Sequence, residues 1–295
     1  MRTVLPTIGT ASRSSGARAV TRVTADQLPG SGPDGDRRAG TLERGLAILE
    51  MLSTGGPVTS ARIMEELALS RSATYRILGL LRQRGYVDWD GSAERIHLGR
   101  QVVTLGMAAL ATFDPFVAAQ AHLRDLSSEL SEAALMAVRD GEQMVYIAHE
   151  DATDNLIAVR RLLGVRRPLH ATSLGKAYLA ALPVEEADRI VDQLPLVVLT
   201  ANTIIDRGRL RAELDETRAR GYAVDNGENE VDVMCFGAAI RDDRGIPVCA
   251  ISVAGPRERM LEKANVIPQR VADTALSVSR RLGFRGSLNV AQLRR

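Results

Sequence analysis

The segment Leu69–Gly85, LSRSATYRILGLLRQRG, constrains the fold of this chain most, because it combines helix signals with a strongly basic composition. Ser70 is suited to cap a helix, since its hydroxyl can accept a backbone N–H that lacks a partner in the first turn. Gly85 is suited to end the helix, because glycine adopts the left-handed conformation without a Cβ clash. The segment holds four arginines and no acidic residue. The pattern predicts a single amphipathic helix with a cationic face.

The two faces of this predicted helix differ in chemistry. Thr74, Ile77, Leu78 and Leu81 follow the i, i+3, i+4, i+7 spacing of a buried stripe. Polar and cationic residues share the opposite face, which Gly79 leaves locally flat. Such a face suits a polyanion, and it equally fits a solvated surface with scattered arginines. The helix alone does not decide between the two.

The flanking segments favour a winged helix. A first helix is predicted to begin at Thr41, and a second short helix covers about Thr59–Leu67. After the basic helix, Tyr86–Trp89 and Arg95–Leu98 alternate in polarity on either side of an Asp-Gly turn signal, which predicts a β-hairpin. Two short helices followed by a hairpin form a winged helix-turn-helix, which we assign to residues 41–100.

The remaining segments predict an α+β chain with a second, larger domain. Residues 1–40 are rich in Arg, Ser and Gly without apolar periodicity, which predicts a disordered tail. Residues 101–130 form two linker helices, the second capped by Asp114. Residues 131–284 alternate strand hairpins with inserted helices, which predicts an antiparallel sheet flanked by helices. Residues 285–295 form a final tail.

Within the second domain, one strand and one helix matter for function. Asn155–Val159 is predicted to be the third strand, and Leu163–His170 a loop. Thr172 is suited to cap a helix over Ser173–Leu182. The start of such a helix presents free backbone N–H groups, which favour an anion.

Composition narrows the possible functions. The net charge is only +2, so nucleic-acid binding requires a local basic patch rather than a basic protein. The two cysteines, Cys235 and Cys249, are too few for a disulfide framework or a zinc site and indicate a reducing, cytoplasmic compartment. No run approaches the ~20 apolar residues of a membrane helix. We predict no cofactor, no metal and no membrane partner.

Four stretches together resemble the IclR family of bacterial transcriptional regulators, and the resemblance covers about residues 41–283. The stretches are TLERGLAILEML (Thr41–Leu52), SRSATYRILGLLRQRGYV (Ser70–Val87), GVRRPLHATSLGKAYLAAL (Gly164–Leu182) and RGYAVDNGENEVDVMCFGAAIRDDRGIPVCAISVAGPRERM (Arg220–Met260). The resemblance implies a winged helix-turn-helix, a linker helix and a GAF-like effector-binding domain. It also implies homodimers or homotetramers on double-stranded operator DNA, with a small organic acid as effector.

The DNA contacts are predicted from the position of the basic helix. A recognition helix reads bases from its first turns, and a hairpin wing can reach the backbone or minor groove. The candidates are Arg71, Ser72, Thr74, Tyr75, Arg76 and Arg95. Thr74 lies on the buried stripe, so packing explains this residue better than a DNA contact does.

The effector contacts are implied by the resemblance. The candidates are Leu156, Val159, Ser173, Leu174, Gly175, Asp225, Val233, Cys235, Ser252 and Ala254. An ordinary core role is the alternative for Val159, Val233 and Cys235. The chain departs from the family at Ser173, where alanine is frequent, and at Phe236, where a smaller aliphatic is common. The identity of the effector therefore does not follow from the resemblance.

Two other functions compete with a ligand-controlled regulator. A packaging protein would bind DNA without an effector, but it has no need of a large second domain. An enzyme would use Cys235 as nucleophile and His170 as base, but an apolar strand raises a thiol pKa and no acidic group is evident to orient the histidine. We predict a regulator, either repressor or activator, and not an enzyme.

Overall fold

The N-terminal domain is a three-helix unit with a small sheet. The computed structural model describes residues 33–90, 95–151 and 163–286. The elements of this domain are α1 (Pro33–Gly55), β1 (Val58–Thr59), α2 (Ser60–Glu66), α3 (Arg71–Gln83), β2 (Val87–Asp90) and β3 (Arg95–Leu98). The strands pair antiparallel in the order β1-β3-β2. Helices and sheet enclose a core that includes Ile48, Ile63, Leu78 and Ile96.

The local signals around α3 are confirmed. The Ser70 hydroxyl accepts the Ala73 N–H at 3.3 Å, and Gly85 has a φ of +74°. Gly99, at the end of the hairpin, donates its N–H to the Tyr86 carbonyl at 2.7 Å. A Cβ on Gly99 would lie 2.2 Å from the Gly85 carbonyl oxygen, so only glycine fits where the hairpin closes on the helix.

Two features of this domain correct the sequence-based prediction. Helix α1 begins at Pro33 rather than Thr41, so residues 33–40 are helical and not part of a tail. Strand β1 was not predicted, because it has only two residues and exists through its pairing of Val58 with Ile96. Residues 91–94, which form most of the predicted wing tip Asp90–Arg95, lie outside the described residues.

Two helices connect the domains. They are α4 (Arg100–Ala111) and α5 (Asp114–Leu130), and they meet at an angle of 89°. Phe113 rather than Asp114 occupies the cap position of α5, and Asp114 lies in the first turn instead. In the described ranges, no single helix is long and apolar enough to cross a membrane, although this bent pair meets that test by length and composition.

The C-terminal domain is built on a six-stranded antiparallel sheet in the order β6-β5-β4-β9-β8-β7. The strands are β4 (Ala133–Asp140), β5 (Gln143–Glu150), β6 (Arg166–Pro168), β7 (Ala223–Asn226), β8 (Val233–Arg241) and β9 (Pro247–Pro256). The helices are α6 (Ser173–Ala181), α7 (Val184–Gln193), α8 (Arg207–Arg220), α9 (Arg257–Glu262) and α10 (Ile267–Arg281). The α+β class and the antiparallel sheet with flanking helices are confirmed.

Each face of this sheet has its own core. Met136, Phe236 and Ile251 belong to the core that includes residues of α5 and α10. Leu135 and Tyr146 belong to the core that includes residues of α6, α7 and α8. We call this second side the α6 face. The predicted loop Leu163–His170 is wrong in part, because β6 pairs with β5 there, and short α9 was not predicted.

Candidate DNA-binding and effector-binding sites

The outer surface of α3 carries the predicted DNA-contacting side chains. Arg71, Ser72, Tyr75 and Arg76 are exposed along its first turns. The structure corrects the prediction for Thr74, whose side chain is fully buried. Its hydroxyl donates to the Ser70 carbonyl at 3.0 Å, so it packs inside the domain and has no surface to offer DNA.

Neighbouring groups hold Tyr75 in position. Its hydroxyl lies 3.2 Å from the Ser60 hydroxyl at the start of α2. The Arg71 guanidinium lies 5.8 Å from the centre of its ring, one helical turn away. An aromatic ring held by two contacts loses less conformational freedom on binding. The helix-turn-helix therefore presents an ordered aromatic group beside two guanidinium groups.

The wing is fixed to the recognition helix by another arginine. The Arg82 guanidinium lies 4.7 Å from the centre of the Trp89 ring and 3.8 Å from the Asp88 carboxylate. Arg82 is therefore engaged in joining α3 to β2. Arg95 is exposed at the start of β3 and is free of that role.

Strand register brings most of the predicted effector residues to the α6 face. Asp225 on β7 is opposite Cys235 on β8, and Cys235 is opposite Ala254 on β9. Residues directly opposite in an antiparallel pair share a face, and every second residue along each strand joins them. Val233 and Ser252 therefore lie on the same face, in agreement with the predicted grouping.

The start of α6 packs tightly on this face. A Cβ on Gly237 would lie 2.8 Å from the backbone of Ser173, so glycine lets the first turn of α6 approach the sheet. A Cβ on Gly175 would lie 2.2 Å from the Leu169 carbonyl oxygen, so Gly175 is equally constrained. Thr172 caps the helix by accepting the Gly175 N–H at 3.0 Å. The side chain of Leu174 is buried in the apolar core, so this residue can offer a ligand only its backbone N–H in the first turn.

One hydroxyl on this face lacks a partner within the described structure. Ser252 is 1% exposed, and its Oγ makes no hydrogen bond there. Ser252 is opposite Gly237, the residue that contacts the start of α6. A buried hydroxyl without a partner is costly, so a polar ligand group beside it would be stabilised.

Asp225 organises the segment that follows β7. Its Oδ1 accepts the Glu228 N–H at 2.7 Å and the Asn229 N–H at 3.4 Å. Burial raises the pKa of its carboxyl to about 7, against the opposing effect of these hydrogen bonds. The structure therefore gives Asp225 a role in holding this loop, in addition to its place on the α6 face.

A buried lysine ties the same loop to two helices. Lys176 is fully buried, with its Nζ 2.5 Å from Glu228 Oε1 and 3.5 Å from Glu213 Oε1. Burial raises the pKa of Glu228, and the charge of Lys176 opposes that shift. The second carboxylate oxygen of Glu228 and the side-chain oxygen of Asn229 have no partner within the described residues. This end of the α6 face therefore offers unpaired acceptors.

Sequence reasoning missed several groups that lie on or beside this face. Tyr146 is nearly buried, and desolvation, followed by the effect of Cys235, raises the pKa of its phenol. Arg167 Nη2 lies 2.8 Å from Glu230 Oε1. Tyr146 fits the ordinary alternation of a strand, and Arg167 precedes a proline in a predicted loop. The sequence pattern therefore did not indicate a functional role for either residue. Leu156 and Val159 lie outside the described residues.

Two family models match the chain along most of its length. The model described as IclR helix-turn-helix domain matches residues 41–91. The model described as bacterial transcriptional regulator IclR C-terminal matches residues 107–280, more than half of the chain. The chain belongs to the IclR family.

Curated relatives and solved structures agree with this assignment. The chain is 34% identical over 269 residues to the HTH-type transcriptional repressor AllR of Escherichia coli K12, covering 90% of this chain and 99% of that protein. It is 33% identical over 255 residues to AllR of Klebsiella pneumoniae, covering 86% and 93%. The crystal structure of Thermotoga maritima IclR is 30% identical with a TM-score of 0.66, covering 83% of this chain and all of that one.

A further structure shares the fold alone. An IclR homolog from Microbacterium hydrocarbonoxydans, complexed with 4-hydroxybenzoate, is 21% identical with a TM-score of 0.71, covering 82% and 98%. The IclR-family relatives are transcriptional regulators, so this chain is a DNA-binding regulator of transcription and not an enzyme.

The geometry around the two residues of the rejected enzyme hypothesis fits this assignment. His170 Nε2 lies 3.0 Å from the Val197 carbonyl oxygen, and burial lowers the pKa of its imidazole. Desolvation, followed by the carboxylates of Asp225 and Glu230, raises the pKa of the Cys235 thiol well above its ordinary value. A thiol that resists ionisation is a poor nucleophile. In this IclR-family chain, His170 fixes a loop and Cys235 belongs to the α6 face.

Proposed function

We propose that this IclR-family protein is a cytoplasmic repressor whose affinity for operator DNA is set by a small organic acid bound on the α6 face. The observation that carries the proposal is the buried Ser252 hydroxyl, which has no hydrogen-bond partner in the described ranges and lies where the start of α6 meets Gly237. Backbone N–H groups at a helix start favour an anion, and Ser252 adds a hydrogen-bonding group beside them. The relatives named AllR support repression rather than activation.

The proposed effector site combines one anion-binding end with one polar wall. Ser173 contributes the first turn of α6, and Ser252, Cys235 and Ala254 contribute neighbouring sheet positions. Asp225 closes the site by holding the loop after β7. A suitable effector would place a carboxylate at the start of α6. Its hydroxyl or N–H groups would donate to Glu228 Oε2 and Asn229 Oδ1, which have no partner within the described residues.

The proposed DNA interface consists of Arg71, Ser72, Tyr75 and Arg76 in the major groove and Arg95 of the wing on the backbone. Arg76 is exposed on the outer face of α3, where Gly79 has open space around it, so DNA can approach closely. A guanidinium can bond guanine O6 and N7 together, which makes Arg76 the base-reading candidate. Tyr75 and Ser72 are placed to hold phosphates.

The proposed assembly is a homodimer, or a homotetramer formed from two of them. Helix α4 buries none of its residues, yet it exposes Val103, Leu105 and Met107 by 65%, 49% and 61%. Helix α1 exposes Leu42 and Leu46 as well. Exposed apolar patches of this kind mark interaction surfaces. A second copy covering α4 would place two recognition helices on a palindromic operator.

One experiment tests both the binding of operator DNA and its control by an organic acid. Fluorescent DNA from the region upstream of the gene is titrated with the protein, with and without a panel of small carboxylic acids that includes 4-hydroxybenzoate and hydroxy acids. We expect at least one acid to weaken operator binding and to raise the melting temperature in the absence of DNA. Specific DNA binding that no acid changes would instead favour a regulator without an effector. Equal binding to random DNA would favour a packaging protein.

A further inference from the structure

One ion pair joins the two opposite edges of the large sheet. Arg167 lies on β6, at one edge of the sheet, and Glu230 lies in the segment between β7 and β8, at the other edge. In a flat six-stranded sheet these edges would be roughly 24 Å apart, since neighbouring strands are spaced by about 4.8 Å. Their side-chain atoms are 2.8 Å apart. The sheet and the segment that follows β7 therefore curve toward each other, and the pair spans the concave side between them.

Strand register identifies that concave side as the α6 face. Arg167 is opposite Met144, and Met144 packs in the core on the α6 face. The neighbouring Arg166 is opposite Val145 and pairs with Asp140 at 2.6 Å, so it belongs to the other face. The fields of Arg167 and Glu230 both reach the buried Tyr146 phenol, the first lowering its pKa and the second raising it. The pair thus acts on the interior of the proposed effector site.

Lys176 and Arg167, which both lie on this face, differ in how firmly they are held. Lys176 is fully buried between the carboxylates of Glu228 and Glu213, and separating such a buried pair is costly. The side chains of Arg167 and Glu230 are 32% and 52% exposed, and an ion pair this exposed contributes little to stability. Arg167 can therefore leave Glu230 for another carboxylate at little cost.

We propose that Arg167 selects anionic ligands at the α6 face by exchanging the Glu230 carboxylate for that of the ligand. This inference rests on the proposed function, because it assumes that the α6 face receives a small molecule. Glu230 keeps the guanidinium over the site and competes with the ligand. Removing Arg167 and removing Glu230 then have opposite effects on the entry of an anion.

Cys235 allows this to be tested without knowing the effector. It lies on the α6 face and is partly exposed, whereas Cys249, the second of the two cysteines, is fully buried in the other core. The full-length protein is labelled at pH 9 with two methanethiosulfonate reagents of similar size, one carrying a sulfonate and the other a trimethylammonium group. The readout is the ratio of the anionic to the cationic rate constant. The fraction of Cys235 in the thiolate form cancels in this ratio, so changes in its pKa do not affect the result.

We expect Arg167→Gln to lower the ratio about fivefold or more and Glu230→Gln to raise it, because focused charge alters the local concentration of ions. Arg167→Lys keeps the charge and should stay within about twofold of the parent protein. Arg166→Gln removes an adjacent charge on the opposite face and is the matched control. Cys235→Ala provides the blank, and the circular dichroism spectrum of each variant checks that it is folded.

Two results would overturn the inference. They are a ratio for Arg167→Gln equal to that of Arg166→Gln, and a ratio for Glu230→Gln that fails to rise. The labelling uses neither DNA nor effector, so it is independent of the operator titration. If the labelling ratios change as expected but no acid alters operator binding, the proposed function is contradicted. If an acid alters operator binding but the labelling ratios do not change, only the role of Arg167 is contradicted.

Discussion

At the scale of single residues, burial and hydrogen bonding separate side chains that look equivalent in the sequence. Thr74 and Arg76 are two positions apart on α3, yet one is fully buried and the other is exposed. Asp225 and Glu230 are both acidic residues near the end of β7. Asp225 organises the loop by accepting backbone N–H groups of the loop, whereas Glu230 forms an exposed ion pair with Arg167.

Arg76→Ala should weaken operator binding by about 1–3 kcal/mol if its guanidinium reads a base, because a bidentate contact to guanine is lost. Fluorescence anisotropy with operator DNA at fixed salt measures the change. Arg84→Ala at the far end of α3 is the control, since that exposed arginine lies at the C-cap, away from the reading turns. An equal loss of operator affinity in both variants would mean that Arg76 contributes only its positive charge and does not read a base.

Asp225→Asn should flatten the dependence of stability on pH. The folded pKa of about 7 is above the unfolded value of 3.8, so the folded state holds a proton that the unfolded state has released. Stability therefore falls as pH rises through this window, by about 2–3 kcal/mol between pH 5 and pH 8. Asparagine keeps the acceptor for Glu228 N–H but has no proton to lose.

Urea unfolding of the parent protein and of Asp225→Asn at pH 5 and pH 8 measures this difference. Relative to the parent, the variant should have a higher free energy of unfolding at pH 8 than at pH 5. Asp125→Asn, at an exposed position of α5, serves as the control for removing one carboxylate. Parallel pH curves for the Asp225 variant and its parent would contradict the elevated pKa.

At the scale of secondary-structure elements, close backbone contacts decide the geometry of both domains. Gly99 lets the wing close on α3, and Gly237 lets α6 approach the sheet. Helix caps explain where the helices begin, as with Ser70 for α3 and Thr172 for α6. Buried charge also joins elements, since Glu132 before β4 pairs with Arg259 of α9 and with Lys263. The glycine contacts give a direct test.

Gly237→Ala should destabilise the protein by about 1–3 kcal/mol, because the new Cβ would lie 2.8 Å from the Ser173 backbone and force α6 outward. The same displacement should weaken any ligand bound at the start of α6. Gly79→Ala is the control, since no atom lies within 4 Å of its added Cβ on the exposed face of α3. That control should be neutral or stabilising by up to about 1 kcal/mol.

Thermal unfolding of the two glycine variants compares them directly. Similar melting temperatures for Gly237→Ala and the parent protein would mean that α6 is free to shift, which would weaken the assignment of a preformed site.

At the scale of the whole molecule, the two domains are joined by helices whose surface is incompletely buried. Helix α5 packs in the core of the C-terminal domain, whereas α4 buries no residue. The proposed regulation requires that a ligand bound in the C-terminal domain favour one arrangement of the DNA-binding domains over another. We expect a second copy of the chain to cover the exposed apolar side of α4. Such a contact would transmit the change of arrangement to the DNA-binding domains.

Leu105→Glu should weaken self-association and with it the affinity for a palindromic operator, because a buried charge at an apolar interface is costly. Sedimentation velocity gives the oligomeric state, and anisotropy gives the DNA affinity. Val184→Glu on α7 is the matched control, since both side chains are 49% exposed. A Leu105→Glu protein that keeps both the assembly and the DNA affinity of the parent would exclude α4 as the interface.

The sequence by itself determined the elements with strong local signals. Ser70 and Gly85 bounded α3, Thr172 marked the start of α6, and alternation outlined most strands, because caps and periodicity act over a few neighbouring residues. The family followed from four stretches of residues. Local patterns also placed Val233 and Cys235 on one face and Ser252 and Ala254 on another strand, because side chains in a strand alternate with a period of two.

Only the tertiary structure decided which of these faces meet and what completes them. Strand β1 and strand β6 are too short to signal themselves and exist through pairing with distant partners. The register across β7, β8 and β9 joined Asp225, Cys235 and Ser252 on one surface. The ion pair between Arg167 and Glu230 depends on the curvature of the sheet and on the path of the segment after β7. Contacts between residues far apart in the chain depend on how the whole chain packs, so no local pattern contains them.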